Sequence, residues 1–310
     1  MMARRAGPET IDDAGVVIVD KAPGVTSHDV VSSMRKLFNT RRVGHAGTLD
    51  PMATGVLIIG VERATKMLGL LALETKEYTA TIRLGAATDT DDVEGTVLST
   101  ADASAVTDEQ IHQAVARFRG DIDQVPAKVS AIKVDGRRAH ALMRTGEEFD
   151  LKPRRVTVSR FDIVAIRRAV GGPVDVDVEV ECSTGTYVRS LARDVGEVLG
   201  VGGHLTALRR TRVGPFGLEH ARTIEELTEK PSLSLTIDEV ATLAFPRRDI
   251  TDADAESISQ GRWLEPVGMK GVYAVVDPHG QAIALVQEKG RRASSVMVVR
   301  PATLRRPPES

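Results

Sequence analysis

A single cysteine, Cys182, stands in the 310-residue chain. That excludes an internal disulfide framework and any multi-cysteine zinc or iron–sulfur site, and it fits a reducing cytosol. Aromatic residues make up only 3% of the chain, with tyrosines at 78, 187 and 273 and one tryptophan, so the positions of the few tyrosines carry information. No apolar run approaches the roughly 18 residues a membrane span needs. The first one, Val16 to Val19, is too short for the core of a signal peptide. A surplus of one charge is also lacking: 41 Lys and Arg stand against 43 Asp and Glu, a net charge of -2. No global signal for nucleic acid or an anionic membrane follows, although local patches stay open. With 42% hydrophobic and 27% charged residues, the chain is neither disordered nor collagen-like, and its length suits a large domain with or without a small one.

Standard site motifs are missing as well. Gly55 to Gly60 is followed by Val61 and Glu62 rather than Lys and Ser or Thr, so there is no P-loop. GxGxxG, HExxH and GxSxG do not occur, and the seven histidines are scattered. The acidic turn Asp89, Asp91, Asp92 lacks the glycine and bidentate Glu of a calcium loop.

What is present begins with residues 1–14, a polar stretch that reads as a flexible N-terminal tail. Val16 to Val19 reads as a buried strand, and Val30, Val31, Met34, Leu37 and Phe38 recur at helical spacing behind a turn at Pro23 to Ser27. Strands are expected at Val56 to Ile59 and Tyr78 to Leu84, and a capping box at Thr107 and Gln110 starts a helix. Residues 125–150 read as an irregular excursion. Val174, Val176, Val178, Val180 and Cys182 alternate with Asp175, Asp177, Glu179 and Glu181, which predicts a half-buried strand with an acidic outer face. A helix through Leu191, Ala192, Val195 and Leu199 and a strand from Leu205 to Val213 follow. Beyond a boundary near 245, short strands at 272–276, 283–286 and 296–299 suggest a small β barrel.

Three segments bring together side chains able to do chemistry. In Gly44-His45-Ala46-Gly47-Thr48-Leu49-Asp50-Pro51-Met52-Ala53-Thr54-Gly55, small residues flank one imidazole and one carboxylate, so backbone can approach a bulky partner while both side chains project. The ordinary reading of Asp50-Pro51 is a helical cap. In Cys182-Ser183-Thr184-Gly185-Thr186-Tyr187-Val188-Arg189, Tyr187 and Arg189 follow a strand end; the ordinary reading is a core Tyr and a surface ion pair. The third set is Lys21, Lys66 and Tyr78. Acid-poor basic stretches at 30–49, 152–168 (with Asp162 alone against six cations) and 289–308 read as solvated surface or as phosphate-contacting faces.

The sequence closely resembles the TruB family of tRNA pseudouridine synthases. The resemblance runs from about Val16 to Gly217 and more weakly to the C-terminus. Its most specific element is the stretch from Gly44 to Leu57, supported by Lys21 to Gly24, Arg83 to Asp92, Cys182 to Arg189 and Leu208-Arg209-Arg210. It implies an α+β fold: a mixed, mostly antiparallel sheet with helices packed on it over 15–245, carrying an RNA-covering insertion at about 125–150, and a PUA-like RNA-binding β domain over 246–310. The implied reaction isomerises uridine 55 in the T loop of tRNA, breaking the N1–C1′ bond and re-attaching C5 to C1′. No atoms are gained or lost, so no cofactor and no metal is needed.

By the same resemblance Asp50 is the essential carboxylate, whether it attacks the ribose or the base or removes a ribose proton. Arg189 holds that carboxylate charged, and Asp92 pairs with Arg189 before substrate enters. Tyr78 stacks on the flipped base, Tyr187 and Leu208 wall the pocket, and His45 enters the T loop to help extrude the nucleotide. Lys21 supports the strand or contacts phosphate, and Lys66 belongs to the RNA-binding set. The expected partner is tRNA, with the acceptor stem reached by the C-terminal domain. The expected working form is a cytoplasmic monomer without a membrane or obligate protein partner. A role in folding tRNA, or a uridine in another RNA as target, are the alternatives. One departure from the family pattern is Pro126-Ala127-Lys128-Val129-Ser130-Ala131, where a second proline and an aromatic are usual, with His140 at a common aromatic position.

Overall fold

The computed structural model describes residues 11–127, 151–169 and 172–304, and the backbone of 133–134 and 137–138. Most of the expected excursion at 125–150, His140 included, lies outside these residues, as do 1–10 and 305–310. The end of the expected tail is packed: Ile11 and Ala14 are buried.

In chain order the elements used below are β1 (Gly15–Lys21), α1 (Ser27–Leu37), β2 (Val43–Ala46), β3 (Thr54–Val61), β4 (Lys76–Leu84), β5 (Ala86–Thr88) and β6 (Val97–Thr100). Then come α2 (Asp108–Ala116), β7 (Gly120–Gln124), β8 (Arg154–Arg168), β9 (Val174–Cys182), α3 (Val188–Val198) and β10 (Gly203–Val213). The C-terminal third adds β11 (Leu235–Thr236), α4 (Ile237–Ala244), β12 (Arg247–Asp249), α5 (Asp252–Ser259), β13 (Val272–Val276), β14 (Ala282–Lys289) and β15 (Arg292–Val298).

Contacts divide the described residues into two compact units. One gathers those of Met1–Asp50, Val56–Ala72 and Gly214–Ser310; the other those of Pro51–Gly55 and Leu73–Val213.

In the second unit β10, β4, β9, β8 and β7 are neighbours in that order, antiparallel throughout. The alternation read along β9 decides the faces: Val174, Val176, Val178, Val180 and Cys182 are all buried while the intervening acids are half-exposed. Those acids meet cations from the flanking strands. Arg83 forks onto Asp175 with two 2.8 Å bonds, Arg167 onto Asp177 at 2.8 and 2.7 Å, Arg160 reaches Glu179 at 2.6 Å, and Arg212 reaches Glu77 at 2.6 Å. Arg155 lies near Asp121 and Asp123, and Arg168 bonds Asp108. Four of the six cations of the basic stretch at 152–168, Arg155, Arg160, Arg167 and Arg168, thus face carboxylates from neighbouring strands and from α2, which a count along the chain does not see; Lys152 and Arg154 are exposed.

In the first unit β1 lies between β11 and β3, and β2 pairs antiparallel with β3. Helix α1 starts on a capping box in which the Thr26 hydroxyl accepts from the Asp29 N–H and the Asp29 carboxylate accepts from the Thr26 N–H. The predicted C-terminal barrel is instead a four-stranded sheet ordered β12-β13-β14-β15, in which β12 joins parallel to β13. Strand β12 is Arg247-Arg248-Asp249, three charged residues with no apolar alternation to announce it. Its core holds Ala255 and Ile258 of α5 against Tyr273, Val275, Ile283 and Val286.

Two polar ties fasten this sheet within its unit. The Asp238 carboxylate at the start of α4 accepts from the Ala282 N–H at 2.8 Å and from Arg300 at 2.5 Å. The buried Arg63 guanidinium donates to the Val299 carbonyl at 2.5 Å and the Val298 carbonyl at 2.6 Å. Replacing Arg63 by Met keeps an unbranched stem as far as the Nε position and removes both donors. Arg63→Met should lower the unfolding free energy by about 1–3 kcal/mol in a denaturant titration.

Candidate active site

In the first unit the segment that ends in Asp50 is held by a serine. The buried Ser27 hydroxyl, at the first turn of α1, donates to the Leu49 carbonyl at 3.0 Å and accepts from the Leu49 N–H at 2.9 Å. One hydroxyl therefore satisfies both backbone groups of the residue before the carboxylate, replacing the ladder partner that an irregular segment lacks. Gly47, two residues upstream of Leu49, has φ +73°, a left-handed conformation that favours glycine. Asp50 is half-buried, and Pro51 and Met52 form a turn that leads into β3; no helix starts there, so Asp50 does not cap one.

His45 sits on β2 opposite Ile59, half-exposed. Lys21 is fully buried, and its ammonium donates to the Ala22 carbonyl at 2.9 Å and the Val25 carbonyl at 2.7 Å. Of the two expected roles this geometry serves the support of the strand and its Pro23-Gly24 turn. Lys66 is exposed on a 3₁₀ turn, Glu62–Met67.

In the second unit the ladder registers gather the remaining residues. Tyr78 of β4 faces Val180 on one side and Arg210 on the other, and Ala80 faces Leu208. Opposed and alternate residues share a face, so Tyr78, Ala80, Leu208 and Arg210 lie on one side of the sheet. The start of β3 runs parallel to β10, with Arg210 opposite Gly55. Gly55 has φ +97°, and a Cβ there would fall 2.1 Å from the Arg210 carbonyl oxygen, so only glycine fits this crossing. A cavity of about 520 Å³ on this sheet is lined by Leu208 with Met52, Thr54, Thr79 and Arg209 among others; of the predicted residues only Leu208 takes part.

Arg189 lies in the first turn of α3 and is 3% exposed. Its guanidinium stands 3.4 Å from the Asp92 carboxylate and donates to the Thr90 carbonyl at 2.7 Å. Asp92 in turn accepts from the Thr90 hydroxyl at 2.6 Å and the Glu94 N–H at 3.0 Å. The turn 89–92 is thereby a built receptor for a buried cation: two donors hold Asp92 Oδ1, and Oδ2 faces the guanidinium.

Two supporting residues were not foreseen. Gln124, buried at the end of β7, brackets Tyr187: its amide oxygen accepts from the Tyr187 N–H at 2.8 Å and its amide nitrogen donates to the Tyr187 carbonyl at 3.0 Å. An amide supplies one donor and one acceptor side by side, as a neighbouring strand would. Arg193, one turn beyond Arg189, joins Asp91 at 3.2 Å, Asp194 at 2.7 Å and the Val125 carbonyl at 2.8 Å. The sequence signal for Arg193 was its spacing of four from Arg189, which puts both on one helix face; Gln124 had none.

Asp91 has φ +61° and a buried carboxyl whose pKa burial raises from 3.8 to about 6, against the pull of Arg193 and Arg189. Burial likewise raises Asp194. Burial lowers the Lys76 ammonium to about 8, with the Arg210 charge adding to it.

The comparisons with known proteins agree with this architecture. The model for the N-terminal domain of TruB family pseudouridylate synthases matches residues 35–188, and two C-terminal models, described as tRNA pseudouridylate synthase B C-terminal domain and tRNA pseudouridine synthase II, C terminal, match 189–240 and 245–300. A fold and motif set of this kind defines a pseudouridine synthase. The tRNA pseudouridine synthase B of Rhodococcus jostii is 69% identical over 98% of this chain and 100% of its own length; that of Nocardia farcinica is 60% identical over 98% and 99%. The chain belongs to the TruB family. A solved Cbf5-Nop10-Gar1 complex contains a chain that superimposes with a TM-score of 0.73 at 26% identity, covering 97% of this chain and 92% of that one.

Two outcomes follow from this geometry. Replacing Gln124 by Leu removes the Gln124 acceptor of the Tyr187 N–H, while the Tyr187 carbonyl keeps the Leu191 N–H at 3.2 Å; hydrogen–deuterium exchange at the start of α3 should speed up by about tenfold or more, a loss on the order of 1–3 kcal/mol. For Asp91 the folded pKa lies above the unfolded one, so the unfolded chain binds fewer protons and this group's contribution falls as pH rises from about 4 to above 6. Asp91→Asn removes that dependence. In denaturant titrations the variant should gain stability relative to the parent between pH 4 and 7; a pH-independent difference would refute the assignment.

Proposed function

We propose that this chain isomerises uridine 55 in the T loop of tRNA to pseudouridine, flipping the base out of the loop and using Asp50 as the essential carboxylate. Family membership sets the reaction class. The observation that supports the site is Arg189: burying a guanidinium at 3% exposure is costly unless a charged partner is built for it, and the 89–92 turn is so built. Such expense at a strand-to-helix junction, next to Tyr187 and in the same unit as Tyr78 and Leu208, fits a site that needs a fixed positive charge to keep a carboxylate ionised. Tyr78 then stacks on the extruded uracil, Tyr187 and Leu208 wall it, and His45 takes the place of the nucleotide in the loop. The flip costs a few kcal/mol, which stacking worth about 1–3 kcal/mol per base offsets.

The substrate reading is supported by the relatives named tRNA pseudouridine synthase B, matched over nearly their full length. We further read the chain as acting in the cytoplasm as a monomer without a protein partner, since every residue in the reading lies within it; the Cbf5 neighbour was solved with Nop10 and Gar1. No helix among the described residues is long and apolar enough to cross a membrane.

The test is a T-arm stem-loop incubated with wild type and with Asp50→Asn, pseudouridine being mapped by carbodiimide primer extension and binding measured separately. Wild type should modify the single target uridine. Asp50→Asn should lose on the order of 10²–10⁴ in turnover or more while still binding the RNA. Full turnover by the variant would overturn the role of Asp50; binding without any modification by wild type would assign the chain to RNA folding instead.

A further inference from the structure

Trp263 is the chain's only tryptophan, and it is 44% exposed. Tryptophan usually sits largely inside a fold, so an indole left on the surface needs a reason. This one is held firmly. Leu264 beside it is buried and exchanges two backbone hydrogen bonds with Ala293, at 3.0 and 2.9 Å. That bridge fixes Trp263 next to Arg292, whose guanidinium carbon lies 5.2 Å from the ring centroid. Arg292 opens β15, an edge strand, and shares its exposed face with Ser294 and Val296.

The surroundings are cationic. Arg262 precedes the indole, and Lys289 and Arg291 flank the hairpin that leads to Arg292; all are exposed. Across 262–268 and 289–296 there are four cations and one acid, Glu265. Glu288 between them is already engaged, accepting from the Val267, Gly268 and Met269 N–H groups and the Tyr273 hydroxyl. An exposed indole with a guanidinium against it, in a neighbourhood where cations outnumber acids, matches the face of a base on one side and phosphates on the other.

We propose that Trp263 and Arg292 form a stacking site for an unpaired base of the RNA substrate outside the T arm, with Arg262, Lys289 and Arg291 meeting the adjoining phosphates. The proposal rests on the reading of the substrate as tRNA, and not on Asp50. Charge favours RNA over an apolar protein partner, because the exposed aliphatic surface here is limited to Val267 and Val296.

As the only tryptophan, Trp263 reports on this site directly through its emission in the unmodified full chain. Titration with full-length tRNA should quench it saturably, while a T-arm stem-loop at saturating concentration should leave it unchanged. Binding is read here without turnover, so the emission change is the same whether or not the enzyme is active. Arg292→Ala and Trp263→Ala should each lower the ratio of tRNA affinity to stem-loop affinity about tenfold, a ratio that partial loss of folded protein leaves unaltered. Arg292→Ala should also flatten the dependence of tRNA affinity on salt. Unchanged emission with saturating tRNA, equal quenching by the stem-loop, or an unchanged affinity ratio in both variants would each overturn the proposal. So would quenching by anionic phosphatidylglycerol vesicles but not by tRNA, which would assign the patch to a membrane surface.

Discussion

The register of β4 between its two antiparallel neighbours is the constraint on which the second unit depends. Lys76 to Leu84 pairs without interruption with Cys182 to Val174 on one side, and with β10 on the other. Because side chains alternate, a slip of β4 by one residue would send Tyr78 to the face now held by Glu77 and Thr79, and would set Glu77 and Arg83 toward the core. The cross-strand pairs make that slip expensive. Arg83 with Asp175 and Thr81 with Asp177 exist only in this register, and the buried valines of β9 exist as a face only in it. The polar face therefore does for register what the apolar face does for stability.

Much of this was legible in the sequence, because it rests on periodicity. The alternation at 174–182, the turn at Pro23 to Ser27 ahead of a helical repeat, the capping box at Thr107 and the helical spacing after Arg189 are local signals, and each produced its element. What escaped were contacts between segments far apart in the chain. Ser27 grips Leu49 and Gln124 grips Tyr187 through one side chain that both donates and accepts, and no local pattern marks either residue. The helical cap at Asp50 failed for a related reason: Asp-Pro favours a helix start, but the turn at 51–52 runs directly into β3, whose pairing wins over local propensity. Charge misled in the same way. The stretch at 152–168 looked acid-poor along the chain and is acid-rich across it.

Ion pairing also decides which basic surfaces are left. Arg160, Arg167 and Arg168 each have a carboxylate within hydrogen-bond reach, so their charge is partly offset on the protein itself. Arg42 is paired with Glu62, and Arg300 with Asp238. A net charge of -2 thus hides two populations of cations: those that set register and anchor elements, and exposed ones such as Lys289, Arg291 and Arg292. Exposed cations of the second kind contribute most to counterion release from an RNA, so location is a better guide to the partner than total charge.

The inward face of the sheet changes character along its length. Along β4 the inward residues run Leu84, Ile82, Ala80, Tyr78, Lys76, and across from the last two stand Arg210 and Cys182. One end is an ordinary core of Leu, Ile and Val. The other holds an ammonium whose pKa burial pulls down to about 8, a thiol that burial pushes up to about 11, and a guanidinium at 1% exposure. Hydrophobic burial does not explain polar groups there, since each carries a desolvation cost that an aliphatic residue would avoid. The gradient is continuous along a single strand, and the built pair of Arg189 and Asp92 belongs to the same unit. Each of these groups then has to find its partners inside the fold, as the Lys76 ammonium does in donating to the Glu74 carbonyl at 2.6 Å.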